Sequence, residues 1–188
     1  MKNFMNGEKK WIITRVDGLI ASVSMDWGGA ERVFAQLSRF SPARYAGAES
    51  VKVTTAELFE LAKTVAWDDL LLFGTPFQKE VWKAVFQLTH PAPAGVGLLS
   101  YTELAESLGK GPGVRAVAHA LALNPVPVII PCHLVIPKES VARLQEVIEE
   151  NALFRWETLY MVDRYIDYGE YAFGTAVKRE LIQYHLNQ

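Results

Sequence analysis

Cysteine is nearly absent: Cys132 is the one thiol in 188 residues. That excludes an internal disulfide framework and a multi-cysteine zinc site. Long apolar runs are missing too. No stretch approaches the roughly 18 apolar residues that a membrane-spanning helix needs. The opening MKNFMNGEKKWIITRVDG holds no apolar block of signal-peptide length, so the sequence predicts a cytoplasmic protein without a membrane role. Neither sign of charge dominates. The 19 basic residues stand against 21 acidic ones, a net charge of −2, which removes any global electrostatic signature of a nucleic-acid partner and leaves that question to local geometry. No internal repeat or low-complexity tract is visible.

What is present is apolar surface. Half of the residues are hydrophobic, enough for a sizeable core, and the length suits one large domain or two small ones; the reading adopted is two, divided near residue 72. Residues 1–71 form a small α/β domain. It opens with two β-rich runs, Trp11 to Val16 and Leu19 to Met25, joined by Asp17-Gly18, a pair that supplies the positive φ of a type I′ hairpin. Two helices follow, Ala30 to Phe40 and Thr55 to Ala66, each with apolar residues at helical spacing.

Residues 72–188 read as mainly α. Thr75-Pro76-Phe77-Gln78 combines a threonine N-cap, proline at N1 and glutamine at N3, opening a helix over 76–88 with Phe77, Val81, Ala84, Val85 and Leu88 on one stripe. Ser100-Tyr101-Thr102-Glu103 is a second capping box, starting a helix to about Leu108. The chain breaks at GKGPG and resumes as VRAVAHALAL, stopping at Asn124-Pro125 because the residue before proline disfavours the α region. Two short helices around a glycine turn read as helix-turn-helix. The second carries only Arg115 and His119 as long polar side chains, too few to read base sequence in a major groove. Its small residues suit either close approach to a minor groove, with one arginine as a wedge, or burial in an α-rich core.

Cys132 sits in NPVPVIIPCHLVIP. Free cysteine behaves as a small buried hydrophobe, and Cys132 fits a core position. A second reading fits as well: Pro125, Pro127, Pro131 and Pro137 restrict the backbone, and a preorganised loop is what a positioned nucleophile requires. A thiol with a pKa of about 8.5 is only a few per cent thiolate at pH 7, so attack on carbon needs a partner that removes its proton. The adjacent His133 is a candidate base, and it reaches Cys132 only across a local turn or through a bridging water, since neighbours in an extended segment point to opposite faces.

The ordered set GTPFQKEVW, SYTELA, RAVAHALALNPVPVIIPCHLV and YAFGTAVKRELI strongly resembles the O6-alkylguanine-DNA alkyltransferases, the methylated-DNA–protein cysteine methyltransferases. The resemblance covers most of the C-terminal domain and fits the N-terminal one only loosely. It implies a small α/β domain with an antiparallel sheet, followed by a mainly α, winged-helix-like domain with a helix-turn-helix. It also implies a single-use repair reaction in which Cys132 takes the alkyl group from guanine O6 and keeps it as a thioether. In the same comparison Tyr101 donates a proton to guanine N3, His133 relays the thiol proton through water, and Asn124 braces the turn before the active-site loop. Arg115 fills the space left by a flipped nucleotide, with Val114, Ala118 and Ala122 on the same DNA-facing helix. Val135, Tyr171, Ala172 and Lys178 match the alkylguanine pocket. The implied partner is double-stranded DNA containing alkylated guanine, bound by a monomer with no cofactor and no metal. A second function of the same resemblance is a non-enzymatic sensor of alkylated DNA, although such relatives replace the cysteine by tryptophan.

Three departures from the family pattern carry expectations. Leu134 stands where the motif PCHRV has arginine. His185 aligns with the glutamate that orients the family's histidine, and Glu180 lies more than a turn away on the same helix. A histidine does not polarise as a carboxylate does, so Cys132 is expected to keep a pKa near about 8.5 and to react slowly at neutral pH. Finally, a helical insertion at about 139–170 separates Cys132 from Tyr171. From Lys138 to Glu170 there are eight acidic and four basic residues, a net of −4. The reading adopted is a solvated ornament, the alternatives being a segment that repels DNA or restricts lesions, or Phe154 and Trp156 as cover for the pocket or a partner site.

Overall fold

The structure, a computed structural model, describes residues 10–25, 48–89, 98–150 and 166–186. The expected helix at Ala30 to Phe40 lies outside the described residues, as do Phe154 and Trp156.

The hairpin forms as its sequence dictates. β1 (Trp11–Val16) and β2 (Leu19–Met25) pair antiparallel, with Trp11 opposite Met25 and Val16 opposite Leu19. Asp17 and Gly18 take φ of 53° and 79°, the double positive that a type I′ turn demands. β3 (Glu49–Val53) adds to the other edge of β1, giving the order β2-β1-β3. Helix α1 (Thr55–Thr64) starts on a complete capping box between Thr54 and Glu57 and buries Thr55, Leu58, Phe59 and Ala62. It ends two residues before the expected Ala66 because Val65 is already extended at ψ 128°.

Helix α2 (Pro76–Gln87) has the expected Thr75/Gln78 box with proline in its first turn. Its buried face is Val81, Trp82, Val85 and Phe86, rotated from the expected stripe so that Phe77, Ala84 and Leu88 are only half-buried. The reason is Trp82, fully buried, whose indole Nε1 donates to the Ala120 carbonyl at 2.8 Å. A ring that size with a satisfied N–H outweighs the smaller side chains in choosing the inward face.

A two-residue parallel pair then sets up the chemistry. β4 (Leu99–Ser100) lies beside β5 (Val135–Ile136), with Leu99 opposite Val135. The start of α3 (Tyr101–Ser107), capped by the Ser100/Glu103 box, is thereby placed next to the segment that follows Cys132. Gly109, at φ 65°, closes α3, and Lys110 N–H reaches back to the Ala105 carbonyl at 2.7 Å, the left-handed cap that glycine makes cheaply. α4 (Val114–Ala122) follows and buries Val117, Ala120 and Leu121.

α5 (Lys138–Glu150) begins where the insertion was expected, but Ile166 to Glu170 are not helical. They are held as loop by Ser140, whose hydroxyl donates to the Asp167 carbonyl at 2.8 Å and accepts from its N–H at 3.0 Å. The closing helix α6 (Thr175–Leu186) buries Val177, Lys178, Leu181 and Ile182. One apolar cluster runs from Trp11 and Val23 of the sheet through Phe59 and Trp82 to Cys132 and Leu181.

Candidate active site

Asn124 organises the loop before the thiol. Its Oδ1 accepts from Val126 N–H at 3.0 Å, and its Nδ2 donates to the Ile130 carbonyl at 2.8 Å and to Cys132 Sγ at 3.1 Å. Within that turn Val128 sits at φ 75°, a conformation a β-branched residue adopts only under surrounding constraint. The loop is also tied to the sheet, since Val23 N–H donates to the Pro125 carbonyl at 2.9 Å. Residues Cys132–Leu134 form a single 3-10 turn. The chain is thus not extended here.

Cys132 is 6% exposed, and it faces a cavity of about 270 Å³. Asn124, Pro127 and Tyr101 form one side with it, Ala118, Leu121 and Ala122 of α4 a second, and Glu170 to Phe173 the third. The cysteine S–H points to the Tyr171 hydroxyl at 3.9 Å. Phe173 stands edge-on to both Tyr171 and Trp11, with centroids 5.8 and 5.7 Å apart, so the sheet supports the pocket wall.

Two expected pocket residues stand behind the wall instead of on it. Val135 is fully buried, and its carbonyl accepts from Lys178 Nζ at 2.7 Å. Lys178 is also fully buried and donates to the Tyr101 hydroxyl at 3.2 Å. An ammonium so enclosed must spend its donors on internal oxygens, which holds it back from the cavity. Tyr171 and Ala172 do line it, and so do Ala118 and Ala122. Val114 is half-buried at the start of α4, and Arg115 and His119 are exposed. The helix therefore keeps an open face, and burial in the core accounts for only its other side. Glu170, Pro127 and Leu121 were missed by sequence reasoning. Glu170 sits directly before the recognised Tyr171, but no local pattern marks it as a pocket residue.

Burial dominates the electrostatics. It pushes the Cys132 thiol up, against the lowering effects of the Asn124 amide, the Tyr171 hydroxyl and the Lys178 charge. Tyr101 is raised to about 12, mainly by burial and then by Cys132, and burial raises Tyr171 well above its ordinary value. Lys178 is lowered to about 8 by burial, which the charges of Cys132 and Asp167 oppose. His133, fully buried, has its Nε2 at 3.1 Å from Nδ1 of His185. Burial first, then His185 and Lys178, hold His133 well below the ordinary imidazole value, and burial with Lys63 lowers His185 to about 4. Both rings are neutral at pH 7. Among the described residues no group of three or more His, Cys, Asp or Glu is arranged to hold a metal ion.

A cysteine held by an asparagine thus lies on the wall of a cavity, beside the open face of a small-residue helix. Residues 76–158 match the family described as 6-O-methylguanine DNA methyltransferase, DNA binding domain. The methylated-DNA–protein-cysteine methyltransferase of Methanosarcina barkeri is 31% identical over 138 residues, covering 73% of this chain and 69% of the relative. A probable enzyme of the same name from Acanthamoeba polyphaga mimivirus is 42% identical over 72 residues, 38% of this chain and 45% of the relative. That of Shigella flexneri is 44% identical over 67 residues, 36% of each. The chain thus spans less than half the length of the last two. In architecture it is similar to the O6-methylguanine-DNA methyltransferase of Pyrococcus kodakaraensis, with TM-score 0.54 and 19% identity over 94% of this chain and 92% of that one. The chain belongs to the methylated-DNA–protein-cysteine methyltransferase family.

Proposed function

We propose that the protein repairs double-stranded DNA by transferring the alkyl group of an O6-alkylguanine irreversibly to Cys132 Sγ. The observation that carries this reading is the position of Sγ: nearly buried, hydrogen-bonded by Asn124 Nδ2 at 3.1 Å, and on a cavity that Tyr101 also lines. In the reaction the thiol proton leaves through water and His133, the sulfur lone pair forms a bond to the alkyl carbon as the carbon–O6 bond breaks, and the electrons of that bond pass into the purine. Tyr101, raised to about 12 and held by Lys178, keeps its proton at neutral pH and delivers it to guanine N3 as charge develops there, regaining one from solvent. This is general-acid catalysis directed at the transition state.

Reaching the base requires extrusion from the duplex, which costs a few kcal/mol and least for a badly paired, damaged base. The α3–α4 pair serves as the helix-turn-helix of a winged-helix-like module, the C-terminal part of a chain divided near residue 72. Arg115 enters the vacated stack while Val114, Ala118 and Ala122 let the α4 backbone approach a minor groove without reading sequence. Between Gly74 and Val135 four basic residues face three acidic ones, so binding is of moderate affinity and weakened by salt. The protein acts as a monomer in the cytoplasm.

Incubation with a duplex oligonucleotide containing methylguanine, followed by intact-protein mass, tests the reading. The wild-type chain gains one methyl group and stops, and Cys132→Ala gains none while still binding DNA. Continuous turnover, or a methyl on another residue, overturns it. A lesion sensor without transfer chemistry would bind the same duplex and gain no mass.

A further inference from the structure

The family's acceptor cysteine is served by a histidine leaning on a carboxylate. Among the described residues no carboxylate takes that place. His133 Nε2 meets His185 Nδ1 at 3.1 Å, while the other nitrogen of His133, Nδ1, is buried and has no hydrogen-bond partner among the described residues. One nitrogen of this close pair must carry hydrogen and the other must accept it. The surroundings are hostile to a stationary cation. Phe59 of α1 stands edge-on to both rings, at 6.0 Å from His133 and 5.4 Å from His185, and Tyr184 packs on Phe59 at 4.4 Å. The charges near the pair include Lys178 from α6 and Lys63 from α1, both disfavouring an imidazolium. Lys63 is partly neutralised by Glu60 at 2.7 Å, and Glu180 on α6 is itself made harder to ionise by burial.

We propose that His133 and His185 form a two-imidazole relay that carries the Cys132 thiol proton out to solvent instead of storing it beside the sulfur. The inference rests on Cys132 being the alkyl acceptor. The thiol proton reaches His133 Nδ1 through a bridging water, the hydrogen on His133 Nε2 passes to His185 Nδ1, and the hydrogen on His185 Nε2 leaves to water. The sulfur keeps its electron pair for the new bond to carbon. Neither ring retains charge, so the burial that penalises an imidazolium does not block the transfer. His185 is half-buried near the end of the last described helix, so of the two rings it is the one nearer solvent, His133 being fully buried. Both rings end in the opposite tautomer, and a protein that reacts once does not need to reset them. His185 acts through His133 and is a positioning and relay residue.

The test measures alkylation of Cys132 by iodoacetamide, followed by intact mass from pH 5 to 9, in wild type and His185→Gln. Glutamine accepts a hydrogen bond from His133 but passes no proton onward. The expected result is a loss of about a hundredfold at pH 7 in His185→Gln, the lower end of what general-base groups supply, with the gap closing toward pH 9 as hydroxide removes the thiol proton. His185→Glu, a carboxylate that receives the proton, stays within about threefold of wild type or exceeds it. Nitrogen-15 spectra of the wild type show His133 protonated at Nε2 and His185 at Nε2. A glutamine variant equal to wild type at pH 7, a loss identical at every pH, or the reverse tautomers overturn the relay. The spectra require no variant to fold. If the iodoacetamide profile behaves as expected but methylguanine DNA transfers nothing to Cys132, the relay stands and the repair function falls.

Discussion

Asn124 satisfies three groups at once: a backbone N–H, a backbone carbonyl and the reactive sulfur. Replacing it by alanine strands the Val126 N–H in a fully buried turn, while the Ile130 carbonyl keeps the Cys132 N–H at 2.8 Å. An orphaned buried donor costs about 1–3 kcal/mol, so Asn124→Ala is expected to lower stability by about that much in a urea melt. The thiol also loses the side-chain donor that most favours its charged form, so its pKa rises further. Reaction at pH 7 then slows in the surviving folded protein, and restoring it takes a higher pH. A variant as stable as the wild type would show that other contacts hold the loop. The same network explains why Val128 remains at positive φ, a strain of order 1–3 kcal/mol that persists only where neighbours over-determine the backbone.

At the scale of the element, α4 is two-faced. Val117, Ala120 and Leu121 are fixed in the core, Trp82 bonds to the Ala120 carbonyl, and Ala118 and Ala122 border the cavity. Arg115 projects from the exposed side at the start of the helix. Its replacement by alanine should therefore leave the fold and the pocket intact. The expected outcome of Arg115→Ala is a loss of about tenfold or more in transfer from duplex DNA, with little change in reaction with free benzylguanine, because only the duplex needs a base extruded. Single-turnover rates on the two substrates decide it, and equal losses would assign Arg115 a structural role.

Across the whole molecule, residues distant in sequence enclose the His133–His185 pair, and this couples the site to acid stability. An unfolded histidine titrates near 6.5, whereas both of these titrate lower in the fold. Above pH 6.5 neither state binds the protons and the pair contributes no pH dependence. As pH falls from 6.5 toward the His185 value of about 4, the unfolded chain takes up protons the native state refuses, and stability falls. The limit is about 1.4 kcal/mol per pH unit for each fully buried group, with half-buried His185 giving less because solvent screens it. Glu180, raised by burial, opposes the trend, and the lowered carboxyl of Glu103 loses its contribution only below its ordinary 4.5. Urea midpoints should decline between pH 6.5 and 4 in wild type, and more shallowly in His185→Gln. Parallel declines would exclude His185 as a source.

Local chemistry was legible in the sequence. Asp17-Gly18, the boxes at Thr75 and Ser100, and the glycine after α3 define their turns and helix starts through atoms a few residues apart, so the hairpin and the helix beginnings follow from spacing alone. Asn124, Tyr101 and His185 came instead from the resemblance to the family, which local spacing does not supply. What only the tertiary structure decided is which side chains meet when those pieces pack. Trp82 turned α2 because its indole found the Ala120 carbonyl, Lys178 was drawn behind Tyr101 from 77 positions away, and the two histidines met across 52. Phe59 covers them from the other half of the chain. No helical or strand period encodes such meetings, because they depend on volume, burial and the satisfaction of polar atoms in a shared interior, and it is there that the protonation states of the site are set.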